Sequence, residues 1–207
     1  MFFRPIKTSK IDTNIYTVLT GFSNFYIFDS GDSLICFDCG MSSLTAEAGM
    51  KSLGLDKNNV SDVFITHSDY DHRSGLNLFK NANVYISKNE EKMIDGSTPR
   101  KLFMYNKKIK NYKTLNDREV VYVNNTKVQI IVCEGHTLGS SFYLINDEIL
   151  VCGDNLRVTK DKKIIPFLLM MNREHQKSKE SLQRIMDEGI IDGAKILLTG
   201  HTGYKKN

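Results

Sequence analysis

Four of the five histidines in this chain stand in short polar loops directly after β-rich apolar runs. "VSDVFITH" (60–67) ends on His67 and leads into His72, "TKVQIIVCEG" (126–135) leads into His136, and "AKILLT" (194–199) leads into His201. Asp154 holds the same kind of place after "EILVCG" (148–153), and Asp69 and Asp71 lie between His67 and His72. Apolar runs of this length read as strands, and ligand sites gather on the loops at strand ends. A single histidine there is ordinarily a hydrogen-bonded structural residue. Four junctions that each deliver an imidazole or a carboxylate are different, because such groups brought together without a cation repel and lose hydration. A divalent metal relieves both penalties. The fifth histidine, His175, lies in a charged helical stretch and reads as a solvated helix residue.

The remaining pattern supplies the frame. Strands are expected at 14–20, 23–30 and 33–40, with "SGDS" as the hairpin turn between the last two. A helix is expected at 43–55, with Leu44, Ala48 and Leu55 on its apolar face. A strand at 60–67, a short helix at 75–81 and a strand at 82–87 follow, then helices or loops over 88–118. Strands resume at 118–124, 126–135, 140–147 and 148–154, and a loop with Pro166 leads to a helix at 172–189 that turns Leu182, Ile185 and Met186 inward. A closing strand runs into a Gly-rich loop over 194–203. This order favours a layered α/β sandwich, and the 207 residues are read as one domain.

Composition narrows the class. A formal charge of +4 is too small to imply nucleic-acid binding by itself, and the basic run at 100–113 reads as a solvated helical face. Phe2 and Phe3 meet Arg4 and Pro5 at once, so no signal-peptide core forms, and a cytoplasmic chain without a membrane span is expected. Cys36 and Cys39 form C-x-x-C, but on an alternating strand their thiols face opposite ways, and buried structural roles are expected for them and for Cys133 and Cys152.

The string T-H-S-D-Y-D-H resembles the T-H-x-H-x-D-H signature of the metallo-β-lactamase fold hydrolases. "EGHTLGS" resembles that family's second histidine loop, "CGD" its bridging aspartate, "TGHTG" its terminal histidine motif, and "IFDSGDSLICFDCG" its early hairpin ending in D-x-G. The resemblance implies a four-layer αβ/βα sandwich and two divalent metal ions, zinc foremost, with iron or manganese as alternatives. His67, Asp69 and His136 would hold the first ion, and Asp71, His72 and His201 the second, with Asp154 between them. Asp69 departs from the family, which has histidine there; flavodiiron proteins carry a glutamate at this place, and a single remaining ion is the other outcome.

The resemblance also implies chemistry. Paired cations generate hydroxide from water near neutral pH, and Asp71 is expected to orient that nucleophile and take its proton. The expected substrate is a small ester, thioester or lactone, with no nucleic-acid or membrane partner; the alternatives are a phosphoester hydrolase, or a diiron redox protein served by a separate electron donor. The chain ends six residues after His201, so the extra parts of glyoxalase II enzymes and flavodiiron proteins are not expected. Residues 88–118, with Met93, Phe103, Met104, Tyr105 and Tyr112, are the candidate substrate wall, although packing of these aromatics on the core is the stronger expectation. Thr137, Ser140, Ser141, Thr202 and Tyr204 are read as turn or surface residues rather than site residues.

Overall fold

A computed structural model describes residues 3–207; Phe2, half of the opening pair above, lies outside the described residues. The first sheet takes its strands in chain order: β1 (Ser9–Asp12), β2 (Ile15–Thr20), β3 (Ser23–Asp29), β4 (Leu34–Phe37), β5 (Val60–Ile65), β6 (Asn83–Ser87) and β7 (Lys113–Leu115). It is antiparallel up to β4 and parallel from β4 to β7. In the second sheet β8 (Val120–Val123), β9 (Thr126–Val132), β10 (Ser141–Ile145) and β11 (Ile149–Val151) form an antiparallel meander. A two-stranded ribbon follows, β12 (Leu156–Val158) with β13 (Ile164–Pro166). Then β14 (Ile196–Thr199) joins β11 in parallel, and β15 (Gly203–Lys206) pairs with β14 as the sheet's edge.

Alternation along the strands builds the layers. Tyr26, Phe28, Ile35, Phe37 and Phe64 of the first sheet meet Val128, Ile130, Tyr143, Val151 and Leu198 of the second in the central core. The intervening positions of the first sheet, such as Phe25, Ile27, Val63 and Ile65, pack outward against α1 (Ser43–Ser52). Those of the second sheet, Ile131, Phe142, Leu150 and Leu197, pack on α4 (His175–Asp187) and α5 (Ile190–Gly193). Strands buried on both faces explain why the sequence shows continuous apolar runs there. The result is the expected four-layer αβ/βα sandwich. The short α2 (Tyr70–Arg73) and α3 (Glu91–Ile94) complete the helices.

Several local expectations are corrected. α1 buries Ala46 and Met50, whereas Leu44 is 79% exposed and Ala48 is also exposed. The cause is Gly49, which lets the helix sit so close to β2 that a Cβ there would lie 2.3 Å from Val18. Cys36 and Cys39 join the same outer cluster instead of opposite faces, because β4 ends at Phe37 and Asp38 takes a positive φ of 62° that resets the alternation. All four cysteines are free and buried, and burial raises the pKa of each thiol well above its ordinary value. Met186 is half exposed, while Leu182 and Ile185 are buried as expected. No helix of the described residues is long and apolar enough to cross a membrane.

Candidate metal centre

The ligand-bearing loops all leave strand ends on one side of the sandwich. β5 delivers His67 and then the turn of α2, which carries Asp71 and His72 and is preceded by Asp69. β9, β11 and β14 of the facing sheet deliver His136, Asp154 and His201. His67, His72, His136, Asp154 and His201 are each at most 5% exposed. Burial of so many polar groups needs partners, and each imidazole has one on its outer nitrogen.

His72 Nδ1 donates to Asp38 Oδ2 at 2.8 Å, His201 Nδ1 to the Phe22 carbonyl at 2.8 Å, and His136 Nδ1 to Asn172 Oδ1 at 3.2 Å. His67 Nδ1 lies 3.0 Å from Thr66 Oγ1, whose own proton goes to Asp38, so the threonine oxygen accepts there. These acceptors place a proton on Nδ1 of all four rings and direct Nε2 inward, the nitrogen through which a metal would bind the neutral ring. The aspartate of the D-x-G motif thereby orients two histidines; its part in the site was not legible from spacing.

Two donor groups result. In one, His67 and His136 meet Asp154; Asp69 Oδ2 lies 3.7 Å from His67 Nε2 and 3.3 Å from His136 Nε2, and Asp154 Oδ2 lies 3.6 Å from His136 Nε2. In the other, Asp71 Oδ2 lies 3.5 Å from His72 Nε2 and 3.2 Å from His201 Nε2. Asp154 joins this group too, with Oδ1 3.4 Å from His72 Nε2 and Oδ2 3.0 Å from His201 Nε2. Nitrogen and oxygen ligands about 2.0–2.1 Å from one ion in a tetrahedron stand about 3.3 Å apart, and these separations bracket that value. His67 Nε2, His72 Nε2, Asp71 Oδ2 and Asp154 Oδ1 are buried without any hydrogen-bond partner. Orphaned atoms of this kind are costly, and four together are a donor set that suits a cation.

Electrostatics agree. Burial drives the His67 pKa well below its ordinary value, with His72 adding repulsion. Burial works the same way on His72 and His201, but Asp154 and Asp71 outweigh it, raising His72 well above its ordinary value and His201 to about 10. Burial opposes ionisation of Asp154, yet His201 and His72 hold it well below the usual carboxylate range.

Residues 97–112 hold the largest departure from the sequence reading. In place of a helix, they form an irregular segment that exposes Leu102, Phe103, Met104 and Tyr105. Met93 is fully buried and Tyr112 packs on the outer core cluster, so the expected packing holds for these two alone. The segment also delivers Arg100, only 7% exposed, to the centre. Arg100 Nε donates to both Asp69 oxygens at 2.8 and 3.0 Å, and Nη2 donates to the Met171 carbonyl while lying 3.3 Å from His136 Nε2. Burial resists charge on Asp69, but His136, His67 and Arg100 pull its pKa far below the usual range.

Glu90, also missed by the sequence reading, is completely buried and ties two ligand loops together. It accepts from Ser68 N at 2.9 Å, Ser68 Oγ at 2.5 Å and Gly139 N at 2.7 Å. An aromatic wall of Phe3, Phe22 and Phe167 borders His201, at ring separations of 4.4, 5.8 and 5.6 Å. Thr137 and Ser140 bond each other within the His136 turn, as Thr202 and Thr199 do beside His201, so these hydroxyls shape turns. His175 is exposed at the start of α4, as expected.

A model of the metallo-β-lactamase superfamily matches residues 18–204. The chain belongs to that superfamily. A probable metallo-hydrolase of Methanocaldococcus jannaschii is 30% identical over 156 residues, which cover 74% of this chain and 64% of that protein. The probable polyketide biosynthesis zinc-dependent hydrolase PksB of Bacillus subtilis is 34% identical over 97 residues, covering 45% of this chain and 38% of its own. The chain thus matches less than two thirds of the length of either relative. Among solved structures, a subclass B3 metallo-β-lactamase with an active-site glutamic acid superimposes with a TM-score of 0.76 at 15% identity, covering 100% of this chain and 85% of its own. The di-zinc B3 enzyme LRA-12 from an Alaskan soil metagenome gives 0.72 at 18% identity, with 96% and 79% covered. These likenesses establish the fold. Members of the superfamily use divalent metals, typically zinc.

Proposed function

We propose that the protein is a metal-dependent hydrolase of small acyl compounds: esters, thioesters or lactones. The observation that carries the reading is the set of four buried, unpartnered donor atoms, three from the loop after β5 and one from the end of β11 in the facing sheet. In this reading His67, Asp69, His136 and Asp154 would hold one divalent ion, and Asp71, His72, His201 and Asp154 would hold a second, with zinc the first choice. Such a centre, when loaded, activates water and polarises the substrate's electrophilic group.

The chain's own groups do the rest. Asp71 Oδ2 is buried without a partner between the His72 and His201 rings, where it can orient the attacking water and take its proton. Phe3, Phe22 and Phe167 give the acyl part an apolar bed and exclude bulk water on that side. Asp69 bears on the metal and redox alternatives. Exchanging imidazole for carboxylate adds a negative charge, and Arg100 returns a positive one within 3 Å. The net charge of the donor set is then that of the histidine-rich version, which favours the same divalent charge, while the oxygen donor stays harder than an imidazole.

The test is metal-loaded protein assayed on matched aryl ester, thioester, lactone and phosphodiester substrates. Turnover of acyl substrates that disappears with chelator supports the reading; activity on the phosphodiester alone, or on none of them, contradicts it.

A further inference from the structure

α2 carries metal-site residues on one side and a different feature on the other. Tyr70 and Arg73, from the same turn as Asp71 and His72, border a separate cavity of about 710 Å³. Lys80, Lys107, Lys108 and Lys110 also line it, the amino-terminal end of α1 closes one side, and none of its lining residues is acidic. Arg73 is only 8% exposed. Its Nε donates to the Ser68 carbonyl at 3.3 Å, and its guanidinium has no other hydrogen bond and no ion pair among the described residues. The four lysines likewise form no ion pair or side-chain hydrogen bond among the described residues, although ion pairs are frequent elsewhere on the surface.

Five cations without an ion pair among the described residues surround one concavity and raise a local positive potential beyond what the mild net charge suggests. The lysines come mainly from the basic run at 100–113, so they form neither the solvated helical face expected from sequence nor part of the metal centre. Phosphate suits such a site because it accepts charge-assisted hydrogen bonds from several donors at once, and a buried guanidinium offers a fixed fork to receive it.

We propose that this cavity binds the phosphate or diphosphate group of a small molecule. Phosphate binding in the cavity does not depend on the hydrolase reading.

The test is calorimetric titration of the metal-loaded protein with ADP, with adenosine as the uncharged control. A triple variant, Lys107→Ala, Lys108→Ala and Lys110→Ala, changes exposed side chains only and is checked by thermal midpoint and metal content. Arg73→Met probes the floor, and His201→Ala disables the metal centre. The expected result is that ADP binds and adenosine does not, the triple variant and Arg73→Met each weaken ADP about tenfold or more, and His201→Ala binds it as the parent does. Unchanged ADP affinity in the triple variant overturns the proposal. So does loss of binding in His201→Ala alone, which puts the phosphates on the metals. A single-stranded oligonucleotide that binds a hundredfold more tightly than ADP and displaces it overturns the small-molecule assignment in favour of nucleic acid. Hydrolysis of an uncharged aryl ester by the parent protein, measured separately, decides the hydrolase reading whichever way the titration falls.

Discussion

The two donor groups share Asp154 and differ in what supports them. Asp71, His72 and His201 rest on the sandwich itself: Asp38 at the end of β4 holds His72, and the Phe22 carbonyl of the β2–β3 turn holds His201. His136 and Asp69 lean on loops. Asn172 precedes α4, and Arg100 comes from the irregular segment, tied to its neighbour by Lys101 donating to Met170 O and Arg173 to Pro99 O. One group is open, with Asp71 and His72 both unpartnered. In the other, His67 Nε2 alone is free, and Arg100 stands against both Asp69 and His136. Strand-end support pre-forms a site, whereas loop support makes occupancy depend on how a segment lies. Unequal affinity of the two groups follows.

The sharpest probe lies in the open group. Asp71→Asn keeps the shape and an oxygen donor but removes the proton acceptor, so turnover is expected to fall about 10²–10⁴-fold while the metal content stays near that of the parent. Steady-state assay beside elemental analysis reads both, and near-parental turnover would remove the role given to Asp71. The clasped group responds differently. Arg100→Met takes a cation away from the place of another cation and frees Asp69 and His136, so the weaker metal site should tighten about tenfold or more and the stronger one should not change. Competition titration with a chromophoric chelator measures the two constants. A weaker site in the variant would mean that Arg100 serves to aim Asp69.

pH sharpens the contrast further. Asp154 and Asp71 favour the protonated forms of His72 and His201 when no metal is bound, raising the pKa of His201 to about 10. Ligation needs them neutral, so loading the open group at pH 7 should release about two protons, and affinity should rise with pH toward 9. His67, held low, releases none. Calorimetry in buffers of different ionisation enthalpy counts these protons; equal release from both groups would break the comparison. Glu90→Gln is the mildest change. It turns an acceptor for Gly139 N into a donor, so a stability loss of about 1–3 kcal/mol is expected in denaturant melts, with the donor sets otherwise intact.

The residues of the two donor groups were legible because each stands where an apolar run stops, and strand ends are what sequence marks best. The layers were legible for the same reason: Phe25–Phe28 and Ile130–Val132 are apolar at every position because both faces are buried. The one-turn helices and the short strands β7, β12, β13 and β15 were not, since three or four residues carry too little periodicity. Arg100, Asn172 and Glu90 act from 31, 36 and 49 residues away from the groups they hold. No spacing rule reaches across such distances, so the support of the site had to come from the packed chain. The candidate wall in 88–118 does not border His201; Phe3, Phe22 and Phe167 do, and only folding brings them there.

The most direct test of the metal centre is a zinc titration of chelator-treated protein followed by native mass spectrometry, with His67→Ala and His201→Ala in parallel. About two zinc ions per chain are predicted at saturation, the tighter one persisting in His67→Ala and lost in His201→Ala. Parental zinc content in both variants, or no zinc bound by the parent chain, would contradict the account.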